Sequence, residues 1–192
     1  MSSYYPPDAY PDLSAGISDI LFTSDQIEQR VRELGVAISR DYEGCDLLVV
    51  GVLKGVFPFM SDLLRMITIP VEVDFMAISR YGRAAGDGAV RITKDLDEPI
   101  GGRHLLFVED VIDTGLTLNY LMRNLSIRQP ASLKVCTLFD KSRRRLINIP
   151  LQYKGFDLPA KFVVGYGLDY REKYRNLPFV GLLSPEVFQP DE

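Results

Sequence analysis

The sequence predicts an α/β domain whose mainly parallel sheet is flanked by helices. Short apolar runs alternate with stretches of helical periodicity, and the run Asp46–Leu53 has the composition of a strand covered on both faces. Strands and helices that alternate at this spacing form parallel units with right-handed crossovers. Ligands of such sheets bind beyond the carboxyl ends of the strands, so we look for functional residues there.

The first half of the chain predicts two helices and two strands. Thr23 and Gln26 have capping-box spacing, so a helix begins there and ends near Arg40. Its apolar residues recur at helical spacing: Ile27, Val31, Leu34 and Ile38. Strand Asp46–Leu53 is followed by a helix at Val56–Met66, in which Pro58 is tolerated in the first turn.

A second strand, Val71–Ile78, leads into a segment without periodicity. Residues 80–89 contain three glycines and predict a mobile loop, from which the chain returns as a strand at Val90–Thr93. Residues 1–19 are predicted to form an N-terminal tail or a loosely docked arm.

The second half of the chain repeats the alternation of strand and helix. It predicts strands at Arg103–Glu109, Leu133–Phe139 and Phe162–Val164, and a helix at Leu116–Arg128. Loop 110–115 joins the first of these strands to the helix. No internal repeat or linker divides the chain, so we predict a single domain, residues 1–192.

Bulk composition excludes several classes of function. The 192 residues are 46% hydrophobic and 25% charged, as in an ordinary globular protein, and the net charge of −4 argues against nucleic-acid binding. One histidine excludes a multi-histidine zinc site, and two distant cysteines, Cys45 and Cys136, do not suggest a disulfide framework. The polar N-terminus and the absence of a long apolar stretch predict a cytoplasmic protein without membrane contact.

The segment Glu109–Thr117 carries the most chemistry. A buried strand delivers Glu109 and Asp110, and the following loop supplies a D-T-G-x-T run just as a helix begins. Backbone N–H groups at a helix N-terminus form a phosphate cradle, whereas carboxylates suit sugar hydroxyls or a bridging divalent metal. A sugar with free hydroxyls and a 5-phosphate satisfies both halves. The alternative is a helix cap next to a solvated strand end.

The same segment resembles the phosphoribosyl pyrophosphate signature of type I phosphoribosyltransferases. Other blocks occur in the order found in hypoxanthine-guanine phosphoribosyltransferases, and the likeness extends from Leu21 to Leu183: GVLKG (51–55), VDF (73–75), RITKDLDE (91–98), Asp140-Lys141 and KFVVGYGLDYREKYRNLP (161–178). The resemblance implies a type I phosphoribosyltransferase fold, with a small hood built from the terminal segments.

This resemblance assigns the sugar and phosphate site. It implies that Glu109 and Asp110 hold the ribose hydroxyls and that the 5-phosphate lies on the loop that follows, formed by Asp113, Thr114, Gly115, Leu116 and Thr117. Some family members carry Lys at the position of Leu116, where a backbone contact suffices. Asp113 is the implied general base, which takes the proton from purine N7.

The resemblance also implies a pyrophosphate site and a magnesium site. Lys54 and Gly55 form the pyrophosphate loop, with a cis peptide between Leu53 and Lys54, and Arg175 approaches the same group. Glu109, Asp110 and Asp169 are the implied residues of the Mg²⁺ site.

Recognition of the purine is implied for four residues. Lys141 reads the 6-oxo group, Phe162 stacks on the ring, the Val163 backbone reaches the base edge, and Asp169 lies beside it. A lid at residues 79–89 is implied to close over the reacting centre. This chain has Ser79-Arg80-Tyr81 where the family has adjacent Ser-Tyr, so Ser79 and Tyr81 are both candidates for the lid's contact.

The implied activity is purine salvage: phosphoribosyl pyrophosphate and hypoxanthine or guanine give IMP or GMP and pyrophosphate. The alternatives are another base, such as xanthine or a pyrimidine, and a non-catalytic regulator that senses phosphoribosyl pyrophosphate or nucleotide. A dinucleotide-binding module is disfavoured because no G-x-G-x-x-G follows a strand. His104 lies at the opposite end of its strand and is assigned a structural role. The family resemblance implies a homo-dimer or homo-tetramer, to which arginines of the basic run Lys141–Arg145 could contribute.

Overall fold

Two sheets and their flanking helices make up the fold. The computed structural model describes residues 9–81 and 89–187. In chain order the elements are α1 (Pro11–Ser14), β1 (Ile17–Phe22), α2 (Ser24–Asp41), β2 (Leu47–Leu53), α3 (Phe57–Met66), β3 (Glu72–Tyr81), β4 (Ala89–Lys94), β5 (His104–Ile112), α4 (Leu116–Ser126), β6 (Ser132–Asp140), a short 3-10 helix (Ser142–Arg144), β7 (Tyr153–Asp157), β8 (Val163–Val164) and β9 (Val180–Leu183).

The larger sheet has six strands in the order β4-β3-β2-β5-β6-β7. All neighbours are parallel except β3 and β4, which form an antiparallel hairpin. Ile112 of β5 pairs with Asp140 of β6, so the loops after these two strands begin side by side. The predicted parallel sheet is confirmed, and its carboxyl edge brings together the segments that carry the candidate residues.

The central strands are buried on both faces, as their apolar sequences predict. Val49 and Leu106 pack with α2 and α3 on one face. Leu48 and Phe107 pack with α4 on the other. Each fully buried side chain of this size stabilises the fold by roughly 1.5–3 kcal/mol, so the two central strands anchor both halves of the core.

Helix α2 begins with the predicted capping box. The Thr23 hydroxyl accepts a hydrogen bond from the Gln26 N–H (3.3 Å), and the Gln26 side chain accepts one from the Thr23 N–H (2.9 Å). Both interactions satisfy N–H groups that have no carbonyl partner within the helix. The apolar face then packs against the sheet and α3 through the four predicted residues, Ile27, Val31, Leu34 and Ile38.

The second sheet is built from segments near the two ends of the chain. Strand β9 pairs antiparallel with both β1 and β8, in the order β1-β9-β8. This confirms the predicted hood. It also shortens the predicted N-terminal arm, because Ile17–Asp19 are strand residues. Residues 1–8 of that arm lie outside the described residues.

Strand β7 was not predicted, because its sequence YKGFD contains a glycine and two charged residues. Parallel pairing with β6 makes it a strand. The Arg30 guanidinium of α2 donates hydrogen bonds to the carbonyls of Gly155 (3.2 Å) and Lys154 (2.7 Å), so this edge strand is also held from the helix.

The hairpin β3–β4 corrects the bounds of the predicted loop. Arg80 pairs with Val90 and Tyr81 with Ala89, so the strands continue into the segment predicted as loop and lid. Hydrogen bonding across the hairpin outweighs the weak strand preference of this sequence. Residues 82–88 of the predicted lid lie outside the described residues. None of the helices within the described ranges combines the length and apolarity needed to cross a membrane.

We expect Thr23→Ala to lower the free energy of unfolding by about 1 kcal/mol, because it removes the hydroxyl that caps α2. Thr23→Ser keeps the hydroxyl and is the matched control. Urea denaturation followed by circular dichroism measures both variants. Equal stability of the alanine and serine variants would contradict the proposed contribution of the cap.

Candidate active site

A cavity of about 460 Å³ lies at the carboxyl ends of β2 and β5, between the larger sheet and the hood. It is lined by thirteen of the residues that the sequence singled out: Lys54, Gly55, Glu109, Asp110, Asp113, Thr114, Gly115, Thr117, Lys141, Phe162, Val163, Asp169 and Arg175. Residues separated by more than a hundred positions in the chain therefore share one site.

Glu109 and Asp110 form a crowded acidic pair at the end of β5. Burial raises the pKa of Glu109 well above its usual value, and the neighbouring charge of Asp110 raises it further. Burial also raises the pKa of Asp110, to about 6, although the Val111 N–H and the charge of Arg175 oppose this. Two half-buried carboxylates with raised pKa values are suited to hydroxyl donors or a cation, either of which would relieve their charge.

The loop after the acidic pair ends in a glycine that begins α4. Gly115 has φ = 81°, a left-handed conformation that disfavours a side chain. The first helical hydrogen bond joins the Asn119 N–H to the Gly115 carbonyl, which leaves the N–H groups of the first turn outside the helical ladder. Together with the Thr114 and Thr117 side chains, they form a site suited to a phosphate group.

The loop after β2 closes the cavity on the opposite side. The peptide bond between Leu53 and Lys54 is cis, as the family resemblance implied. A Cβ atom on Gly55 would meet Oδ2 of Asp110, so glycine is required for this loop to approach the acidic pair. Lys54 thereby lies on the cavity wall next to the carboxylates.

A cluster of opposite charges joins Lys54 to Arg175. Arg175 contacts Asp169 Oδ1 at 2.8 Å and donates a hydrogen bond to the Gly167 carbonyl at 2.8 Å. The Glu172 carboxylate lies 3.0 Å from Lys54 Nζ and 3.3 Å from Arg175. Glu172 thus joins the two cations predicted to bind pyrophosphate. Sequence reasoning missed it, although it lies three residues from both Asp169 and Arg175.

The residues predicted to recognise a purine also line the cavity. The Lys141 side chain is only 9% exposed, and this burial lowers its pKa, while the charge of Asp113 opposes the shift. Phe162 packs edge-on against Tyr170 with the ring centroids 5.6 Å apart, and the neighbouring Val163 is buried. A planar ligand with an acceptor facing Lys141 and a face against Phe162 suits these residues.

Asp113 lines the cavity, and its charge acts on Lys141. Its Oδ1 is 3.0 Å from Nε of Arg144, a residue of the 3-10 helix after β6. Sequence reasoning treated Arg144 only as part of a basic run. The sequence shows a cation three residues after Lys141, but this spacing does not indicate a contact with Asp113 unless the fold is known.

Two comparisons with known sequences decide the family. A family model of the phosphoribosyl transferase domain matches residues 18–171. Hypoxanthine-guanine phosphoribosyltransferase of Mycobacterium avium is 49% identical over 191 residues, which cover 96% of this chain and 93% of the relative. The chain belongs to the hypoxanthine-guanine phosphoribosyltransferase family.

Further members of the hypoxanthine-guanine phosphoribosyltransferase family agree with this result. The enzyme of that name from Streptococcus agalactiae is 48% identical over 92% of this chain and 98% of its own length. A crystal structure of a hypoxanthine phosphoribosyltransferase from Staphylococcus aureus superposes with a TM-score of 0.89 at 42% identity, covering 93% of this chain and 97% of the other. The predicted type I phosphoribosyltransferase fold is thereby confirmed.

Some residues predicted from the hypoxanthine-guanine phosphoribosyltransferase resemblance lie apart from the cavity. Among the described side chains, Leu116 and Ser79 do not line it; Leu116 is 51% exposed at the start of α4. Ser79 is half-buried in β3, opposite Arg91. Tyr81 is the last residue of β3. His104 begins β5 at the opposite edge, where its Nδ1 lies 2.8 Å from Ser132 Oγ, consistent with its predicted structural role.

We expect the acidic pair to destabilise the unliganded protein above pH 6. Burial makes the folded protein hold the Asp110 proton more tightly than the unfolded chain does. The protonated Asp110 side chain therefore stabilises the folded protein below pH 3.8, and this contribution is lost as the pH rises through about 6. Asp110→Asn should raise the free energy of unfolding at pH 7.5 by on the order of 2 kcal/mol.

Urea denaturation at several pH values, with EDTA present, measures this effect. The advantage of Asp110→Asn should shrink as the pH falls toward 4, since wild-type Asp110 is then protonated. Asp19→Asn, at an exposed position of β1, is the control. A stability difference between Asp110→Asn and the wild type that does not change with pH would contradict the assignment to the raised pKa of Asp110.

Proposed function

We propose that this protein is a purine-salvage enzyme that transfers the 5-phosphoribosyl group of phosphoribosyl pyrophosphate to hypoxanthine or guanine. The products are IMP or GMP and pyrophosphate. The observation that carries this proposal is the convergence of an acidic pair, a phosphate loop and a buried lysine in one cavity. Each of these recognises a different part of the two substrates, and family membership favours the same reaction.

The ribose 5-phosphate part of phosphoribosyl pyrophosphate binds to the acidic pair and to the start of α4. Glu109 and Asp110 accept hydrogen bonds from the ribose hydroxyls, which supplies a partner for two crowded carboxylates. The 5-phosphate binds at the start of α4, against Thr114, Gly115, Thr117 and the backbone of Leu116. With both ends of the ribose held, the anomeric carbon is directed toward the residues that recognise the purine.

Departure of pyrophosphate builds negative charge next to the β2 loop. Lys54 and Arg175 stabilise that charge, and both must exchange Glu172 for the leaving group. Glu109, Asp110 and Asp169 line the same cavity and would supply carboxylates to a Mg²⁺ ion, which binds phosphate sites through one or two carboxylates. The bound ion would neutralise charge on the phosphates.

Nucleophilic attack comes from the purine. Nitrogen N9 forms the bond to the anomeric carbon, the bond to the pyrophosphate oxygen breaks with its electron pair, and the N7 proton passes to the Asp113 carboxylate. Lys141 donates to the 6-oxo group, which favours oxopurines over adenine because an amino group would oppose a donor with a donor. Phe162 stacks on the ring, and the Val163 backbone reaches its edge.

We further propose that the enzyme acts in the cytoplasm as a homo-dimer or homo-tetramer.

The lid predicted at residues 79–89 would exclude water from the activated sugar. The hairpin β3–β4 supports the proposed lid, because Ile78, which lies near the end of β3, lines the cavity.

An assay of the four common purines tests the proposal. With phosphoribosyl pyrophosphate and Mg²⁺, hypoxanthine and guanine should be converted to nucleotides, and adenine should not, which ultraviolet absorbance measures. Conversion of xanthine alone would show that the substrate is xanthine and not hypoxanthine or guanine. Binding of phosphoribosyl pyrophosphate with no turnover of any base would establish a sensor and overturn the enzyme.

Asp113→Asn tests the assignment of the general base. We expect kcat to fall by about 10²–10⁴-fold, because the amide cannot accept the N7 proton. Binding of phosphoribosyl pyrophosphate, measured by calorimetry, should change little. An unaltered kcat would refute the role of Asp113.

A further inference from the structure

The contact between Arg144 and Asp113 leaves the two oxygens of the carboxylate in different environments. Oδ1 lies 3.0 Å from Arg144 Nε and is shielded from solvent, although no group in the described part of the chain donates a well-aligned hydrogen bond to it. The Asp113 side chain as a whole is 41% exposed. This exposure does not come from Oδ1, and Asp113 lines the cavity. One oxygen thus lies beside a cation and away from solvent, while the side chain as a whole stays partly exposed at the cavity.

Main-chain hydrogen bonds hold the two segments that carry this pair together. The Lys141 N–H donates to the Ile112 carbonyl (2.9 Å), and the Leu146 N–H donates to the Thr114 carbonyl (2.9 Å). In sequence, these bonds flank Asp113 on one segment and Arg144 on the other. The main-chain hydrogen bonds therefore place the side chains of Asp113 and Arg144 next to each other.

The residue after Arg144 anchors the same segment in the interior. Arg145 Nε donates to Asp140 Oδ1 at 2.8 Å, and its NH1 group donates to the Ile149 carbonyl at 3.0 Å. Both side chains of the ion pair are largely buried, at 12% and 5% exposure. The Arg144 N–H also donates to the Lys141 carbonyl at 2.8 Å. The backbone of Arg144 is thus fixed on both sides.

We propose that Arg144 is a positioning residue for the general base. Its guanidinium holds Oδ1 of Asp113, so that Oδ2 is presented to the N7–H group of the purine. This inference rests on the proposed role of Asp113 in proton transfer. Arg144 itself does not contact the purine in this mechanism and acts through the carboxylate.

Orientation matters here because proton transfer requires a distance of about 2.6–3.2 Å between the heavy atoms. A carboxylate on a short side chain can rotate, and a fixed cation at one oxygen restricts where the other points. In water such an exposed pair contributes little, but a bound purine excludes water and strengthens the attraction. The segment that reads the 6-oxo group through Lys141 would thereby also orient the base.

Arg144→Ala tests this role in single-turnover measurements with saturating phosphoribosyl pyrophosphate, hypoxanthine and Mg²⁺. We expect the chemical step to slow by about 10–100-fold, since misplacement of a catalytic group has effects of this size. The KM for hypoxanthine should change much less. Millimolar guanidinium chloride should restore part of the rate, because a free guanidinium ion can occupy the vacated site.

Arg143→Ala is the matched control, because Arg143 is the adjacent exposed arginine of the same 3-10 helix. It should neither lose rate nor respond to guanidinium. Denaturation midpoints of both variants should match the wild type, which separates positioning from folding. An Arg144→Ala enzyme as fast as Arg143→Ala, or slow but not rescued, would overturn the inference.

A double-mutant cycle identifies the residue through which Arg144 acts. In an Asp113→Asn background, Arg144→Ala should cause no further loss of rate. Additive losses would show that Arg144 acts elsewhere and would overturn the inference. The cycle also separates the two proposals: an inactive wild type would refute the enzyme, whereas an active wild type that needs Asp113 but not Arg144 would refute only the positioning role.

Discussion

The parallel pairing of β5 with β6 is the constraint on which the rest of the site depends. It places Ile112 opposite Asp140, so the loop predicted to bind phosphate, which follows the acidic pair at the end of β5, starts beside the segment with Lys141. Both strands are buried, and slipping their register would move apolar side chains out of the core. Hydrophobic packing far from the cavity therefore fixes the position of the acidic pair relative to Lys141.

The same packing creates an electrostatic conflict at the end of β5. Leu105–Val108 are fully buried, and the strand carries Glu109 and Asp110 out of the core into a site where their pKa values are raised. Burial of these two carboxylates lowers stability at neutral pH. In the proposed reaction, sugar hydroxyls or a cation would offset this cost, in line with the common trade-off between stability and activity.

Charged groups of the site contact one another. Glu172 contacts Lys54 and Arg175, and Arg144 contacts Asp113. These pairs are partly exposed and therefore weak, so substrates can replace them at low cost. The two pairs differ in the proposed reaction. There Glu172 must give way to pyrophosphate, whereas Arg144 contacts Oδ1 of Asp113 and can remain in place.

The sequence by itself determined the elements and the chemistry that are encoded locally. The capping box at Thr23, the doubly buried strands and the D-T-G-x-T run all depend on neighbours within a few residues, and all were predictable. Tertiary structure alone made YKGFD a strand, extended β3 to Tyr81, and brought Arg144 to Asp113 and Glu172 to Lys54. The physical reason is that these interactions depend on strand pairing and packing, which a local sequence pattern does not encode, and most of them join residues that are distant in the chain.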